Sequence, residues 1–182
     1  MNGSEPWIQT VSGGRFYPLD PRPWDVNILD IGHALANVCR FTGHTLDFYS
    51  VAQHSVMVSE LLPDNLKLWG LLHDASEAYI QDIARPVKKD DRFAFYREVE
   101  KRVMDSICLA YGLPCEEPPE VKDADLRVLA AEARDLMPQR EHAEWDWMPD
   151  PAGIPKIKPW PPKRAKAYFL DAFFEITGDT RV

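Results

Sequence analysis

Apolar side chains recur along most of this chain at the three- and four-residue steps of an amphipathic helix, and prolines and glycines interrupt them. From Asn27 the series Ile28, Ile31, Leu35 and Val38 predicts a first helix, which Gly43 would stop. Ser50 opens a second as a capping box with Gln53, hydroxyl and amide satisfying each other's orphan N–H groups. Its apolar face runs through Val51, Val58, Leu61 and Leu62, and Pro63 closes it. Asp64 or Asn65 can cap a third helix through Leu68, Trp69, Leu72, Ala75 and Tyr79. Gln81 to Lys89, with Pro86, predicts a loop or a single turn. Phe95, Val99, Val103 and Ile107 mark one face of a long helix ended by Gly112 and Pro114. Another runs from Glu120 to Met137, with Val121, Ala124, Val128, Leu129 and Leu136 at the helical period. A last helix, Lys163 to Ile176, is expected to bury Tyr168, Leu170, Phe173 and Phe174.

The N-terminal segment, with Gly13-Gly14, Pro18, Pro21 and Pro23, reads as loop or short extended pieces. Residues 138 to 162 are rich in proline and carry Trp145, Trp147 and Trp160, an ordered loop because tryptophans are costly to leave in water. No internal repeat is present. The expected fold is all-α: one domain over 1–182, a helical bundle of five or six helices, with a metal-site core at about 28–137.

A chain of 182 residues can bury a core without disulfides. Its net charge of −8 argues against a nucleic-acid polymer as partner, since phosphate backbones select for a basic face. A small phosphorylated substrate stays compatible, because a metal ion and a few cations can reverse the local field. Three cysteines without CxxC spacing read as reduced thiols, and no apolar run or leader pattern points to a membrane or to export. The expected location is the cytoplasm.

Chemistry concentrates in Leu71-Leu72-His73-Asp74-Ala75-Ser76-Glu77. A histidine and an aspartate directly after two leucines are poorly placed as surface residues, and a buried carboxylate needs a counter-charge. A divalent cation shared by His73 and Asp74 would supply it, with further donors from other helices. His54, one turn after the Ser50 cap, and Asp125, beside Ala124 and Val128, stand at suitable places. Two histidines and two aspartates suit a transition metal and leave room for water. Asp123 competes with Asp125, but the two are 200° apart on a helix and Asp125 falls nearer the apolar face.

These segments resemble the HD-domain phosphohydrolases, in particular the small bacterial 5′-deoxynucleotidases and the phage-encoded deoxyadenosine triphosphohydrolases. The matching stretches are Arg40-Phe41, Ser50 to Ser55, His73 to Glu77, Gln81 to Lys88 and Val121 to Asp125, in the family's order. The resemblance implies that His54, His73, Asp74 and Asp125 bind one divalent ion (Zn, Co or Mn), with a second divalent ion on the substrate phosphates. It implies that Glu77 orients or deprotonates the attacking water and that Asp82 serves the leaving 5′-oxygen. Arg40 would hold the phosphate with help from Lys88. Phe41 stands near the sugar where the family often has tryptophan, and Pro86 would line the base or sugar pocket. The implied substrate is a small deoxynucleotide, cleaved at its 5′-phosphate or 5′-triphosphate (dATP among them), in a homo-oligomer of a bacterial or phage-infected cell.

Other residues invite blander readings. His33 is expected to be a hydrogen-bonded core histidine, His44 a turn residue and His142 solvated. Trp145 and Trp147 would seal the bundle, while Trp24 is a candidate for a proline-rich lid. Two alternative functions stand beside the first. One is a phosphodiesterase acting on a dinucleotide, although such sites are richer in histidine than this chain. The other is a non-catalytic helical binding module stabilised by its metal.

Overall fold

The computed structural model describes residues 5–138 and 148–179. His142, Trp145 and Trp147 lie outside the described residues. Among the described residues an antiparallel hairpin of two-residue strands, β1 (Ile8–Gln9) and β2 (Arg15–Phe16), precedes eight α-helical segments. These are α1 (Ile28–Asn37), α2 (Val51–Glu60), α3 (Asp64–Leu72), α4 (Glu77–Ile80), α5 (Arg85–Lys88), α6 (Ala94–Tyr111), α7 (Pro119–Leu136) and α8 (Pro162–Thr177). Six have nine residues or more and form the expected all-α bundle, while α4 and α5 are single turns. Among the described residues no helix is long and apolar enough to cross a membrane.

Helix α2 is the axis of the bundle, packed by α1, α3, α7 and α8. Val51 to Val56 are buried or nearly so on every side, polar residues included. A helix enclosed all round must satisfy its polar side chains internally. Ser55 Oγ donates to the Val51 carbonyl and Ser59 Oγ to that of Lys67. Gln53 donates to the Lys158 carbonyl and accepts from the Trp160 N–H, which ties the C-terminal loop to the axis. One apolar cluster gathers Phe16, Ile31, Leu35, Leu71, Leu72, Ile107 and Phe169. A second gathers Tyr49, Val58, Trp69, Val121, Val128 and Ile157 on the α7 side.

Several local expectations are corrected by these long-range contacts. Helix α1 stops at Asn37 rather than near Gly43. Val38 turns extended instead, its carbonyl accepting from Val51 and the Arg40 N–H donating to Tyr49, around a Cys39–Ser50 bridge. A β-branched valine takes that conformation at little cost. The Ser50 cap holds, its oxygen accepting from the Gln53 N–H, but the Gln53 amide is spent on the C-terminal loop and the box is half made. Neither Asp64 nor Asn65 caps α3, since Asp64 is already its first residue and Pro63 occupies the cap. Phe95 is exposed where burial was expected, and in α8 Phe169 is buried in place of exposed Tyr168.

Candidate metal centre

Glycine sets the approach of α3 to α2. A Cβ on Gly70 would meet Leu62 Cδ1 at 2.3 Å and the Ser59 backbone at 3.2 Å, so only a bare Cα lets the helices close to this distance. After Leu72 the predicted single helix through Tyr79 gives way to a tighter turn: Ala75 bonds Leu72 and Glu77 bonds Asp74, each three residues back. Within this stretch the Gly70 carbonyl accepts His73 Nδ1–H at 2.7 Å. On α2, His54 Nδ1 lies 2.7 Å from Glu132 Oε1 of α7.

Because a carbonyl and a carboxylate can only accept, both Nδ1 atoms carry a hydrogen, and each Nε2 presents a lone pair whenever its ring is neutral. Those two Nε2 atoms face each other at 3.2 Å. Asp74 Oδ2 stands 3.2 Å from His73 Nε2 and 3.7 Å from His54 Nε2. Asp125 Oδ1 lies 3.3 Å from His54 Nε2, while its other oxygen takes Lys122 at 2.6 Å. Opposed lone pairs at such distances repel unless a proton or a metal ion lies between them. A tetrahedral ion with bonds of about 2.1 Å separates its donors by about 3.4 Å, so the His54, His73 and Asp74 spacings fit one ion. The donor chemistry of His54, His73 and Asp74 suits a divalent transition metal.

Electrostatics point the same way. Asp74 and Glu132 share one buried guanidinium, Arg40, and Asp125 pairs with Lys122, so the acids around the two histidines outnumber the cations that meet them. Burial disfavours protonated His73, yet Asp74 overcomes it and pushes His73 up to about 9. His54 is raised as well: burial and Arg40 oppose its charge, and Glu132 with Asp125 outweigh them. Burial alone would raise Asp74 and Asp125, but the histidines hold both well below the usual carboxylate range. Metal-free, the cluster binds protons in the place of a cation.

Glu77 is buried one turn past Asp74. Burial first, then the charges of Asp74 and Asp82, push its carboxyl well above the ordinary range. Among the described residues no side chain hydrogen-bonds that carboxyl. Arg40 NH2 donates to Glu132 at 3.0 Å and NH1 to Asp74 at 3.4 Å, while its buried Nε has no partner. Phe41 lies against the Arg40 guanidinium, at 5.7 Å, and both Phe41 and Thr42 hold left-handed backbone with φ of 52° and 54°. Consecutive left-handed residues other than glycine are strained by about 1–2 kcal/mol each, and persist only where surrounding contacts dictate them.

Asp82, Pro86 and Lys88 occupy the flanking segment rather than the cluster itself. Pro86 is exposed in α5, Asp82 is exposed, and Lys88 pairs with Asp82 at 3.2 Å and with Glu100 of α6. Asp123 is exposed and lines a shallow hollow with Pro63, Pro119 and Arg127, away from the metal ligands. His33 is half-buried rather than a core residue, and His44 is exposed in a turn, as expected. Trp24 is exposed on a short turn packed against α6. The residue missed from sequence is Glu132, fully buried between His54 and Arg40. Its signal was present: it stands two helical turns beyond Asp125 on one face of α7, an acid among Val128, Ala130, Ala131 and Leu136.

Over 176 residues the chain is 38% identical to the "Uncharacterized protein YfdR" of Escherichia coli, covering 94% of this chain and 96% of that one. The chain belongs to the YfdR family. It is also 39% identical over 127 residues to the "Uncharacterized protein RCAP_rcc00048" of Rhodobacter capsulatus, covering 65% of this chain and 64% of that protein. No family model matches the chain.

Proposed function

We propose that the chain is a metal-dependent HD-domain phosphohydrolase that removes the 5′-phosphate or 5′-triphosphate from deoxynucleotides. One observation carries the reading: two buried imidazoles turn their Nε2 atoms toward each other beside Asp74, whose charge also acts on the carboxyl of Glu77. His54, His73 and Asp74 would hold the ion, with Asp125 at the edge of the set. A divalent ion there supplies Lewis acidity toward a phosphoryl oxygen and makes water more acidic. Glu77, once ionised by the nearby positive charge, would accept a proton from the attacking water. Arg40, held by Glu132 and Asp74 beside the ligand set, would offset charge that builds on the phosphoryl group in the transition state. Asp82 and Lys88, paired with each other on the flanking segment, would serve the leaving 5′-oxygen and the phosphate chain. Among the described residues no hydrogen bond ties the Glu77 carboxyl into the fold, which favours catalysis over a binding module stabilised by metal.

The test is product analysis of the purified chain with Co²⁺, Mn²⁺ or Zn²⁺ against all dNMPs, dNTPs and matching ribonucleotides. Deoxynucleoside with intact triphosphate from dNTPs establishes a triphosphohydrolase, and turnover of dNMPs alone establishes a 5′-nucleotidase. No metal-dependent product from any of them sinks the deoxynucleotide assignment.

A further inference from the structure

Glu132 has no exposed surface and stands among core residues of α7, where an apolar side chain would avoid the cost of burying a charge. Its two oxygens are divided between two different donors: Oε1 faces His54 Nδ1 at 2.7 Å and Oε2 takes Arg40 NH2 at 3.0 Å. We propose that Glu132 is a positioning residue for the metal centre, fixing His54 in the Nδ1–H tautomer and docking Arg40 against Asp74. The inference rests on the reading of His54, His73 and Asp74 as metal ligands.

The geometry argues for a directing role. Asp125 and Glu132 share one face of α7, and His54 lies between them. Asp125 meets the imidazole on its Nε2 side at 3.3 Å and Glu132 on its Nδ1 side at 2.7 Å. The shorter contact, to Glu132, takes the ring hydrogen and fixes the ring's orientation, while Asp125 stands on the Nε2 side, where the ion would lie. A Nδ1–H held by a carboxylate leaves Nε2 as a lone pair and makes it a stronger donor to a cation. Through its other oxygen Glu132 holds Arg40, whose NH1 reaches Asp74 at 3.4 Å, so one carboxylate orders a ligand on each side of the centre. Glu132 acts through His54 and Arg40.

The experiment combines Co²⁺ calorimetry, the visible spectrum of the Co²⁺-loaded protein and proton NMR of the histidine rings, on the full chain and on E132Q and E132A. The expected results are Co²⁺ binding weakened about 10–100-fold in both variants, a changed Co²⁺ spectrum, and an unchanged helical circular dichroism signal. E132Q keeps an acceptor of the same shape and is expected to lose less than E132A. In the unmodified Zn²⁺-loaded protein His54 should show a strongly deshielded, slowly exchanging Nδ1 proton. That measurement needs no variant and decides the matter even where a buried substitution unfolds the chain. Variants that bind Co²⁺ within twofold of the unmodified protein overturn the assignment. So does a His54 ring proton that exchanges as freely as that of exposed His44. If the unmodified chain binds no Co²⁺, the metal reading itself fails, and the role of Glu132 with it.

Discussion

The Gly70 carbonyl accepts the Nδ1–H of His73 at 2.7 Å, on the same residue whose missing side chain lets α3 approach α2. One glycine thus sets both the spacing of the helices that carry His54 and His73 and the orientation of the second ring.

Substituting Gly70→Ala is expected to destabilise the chain by about 1–3 kcal/mol, since the new methyl meets Leu62 and backbone of Ser59. Displacing α3 also separates His73 from His54, so Co²⁺ affinity should fall with stability. Chemical denaturation and Co²⁺ titration of G70A check both. A variant matching the unmodified protein in each would remove the close approach as an explanation of the site.

Removing the metal should lower the melting temperature. An ion at a hundred times its dissociation constant adds about 2.7 kcal/mol, which for a chain of this size is roughly 5–10 °C. Thermal unfolding with chelator, and again after Co²⁺ or Zn²⁺ is returned, reads the shift directly. Identical melting curves would count against an ion bound by the folded state.

Metal-free stability should fall from pH 6.5 to 9. His73 rises from an ordinary value near 6.5 to about 9 on folding, so its stabilisation is complete below the unfolded value and is lost as pH climbs through the folded one. The loss is on the order of 2 kcal/mol. Asp74 and Asp125 have the opposite sign: their depressed folded values stabilise above the ordinary carboxylate range, and that contribution is lost in acid. Urea unfolding with chelator at pH 6 and pH 9 should place the midpoint lower at pH 9. A higher midpoint there contradicts the assignment.

Replacing Glu77 by glutamine separates catalysis from metal binding. E77Q should keep Co²⁺ and lose turnover of the deoxynucleotide by about 10²–10⁴-fold. Its metal-free stability should hold or rise, because a carboxyl raised by burial and by Asp74 and Asp82 is replaced by a neutral amide. Single-turnover kinetics beside calorimetry decide it, and turnover equal to that of the unmodified protein would leave Glu77 without the role.

Much of this protein was legible before any folding. Helical period and proline punctuation located the six long helices, because burial of one face is written into residues three and four apart. The dyad His73-Asp74 stood out for a similar local reason, an ionisable pair directly after Leu71 and Leu72. What the chain alone left open were choices between partners far apart in sequence. Val38 left the helix for the strand-like stretch at Ser50, and Gln53 gave its amide to residues more than a hundred positions away. Glu132 found His54 across 78 residues and Arg40 across 92. Local pattern says which face of a helix is mostly buried. Only the tertiary structure decides which buried acid meets which buried base, because that pairing depends on helix positions that no short window of sequence contains.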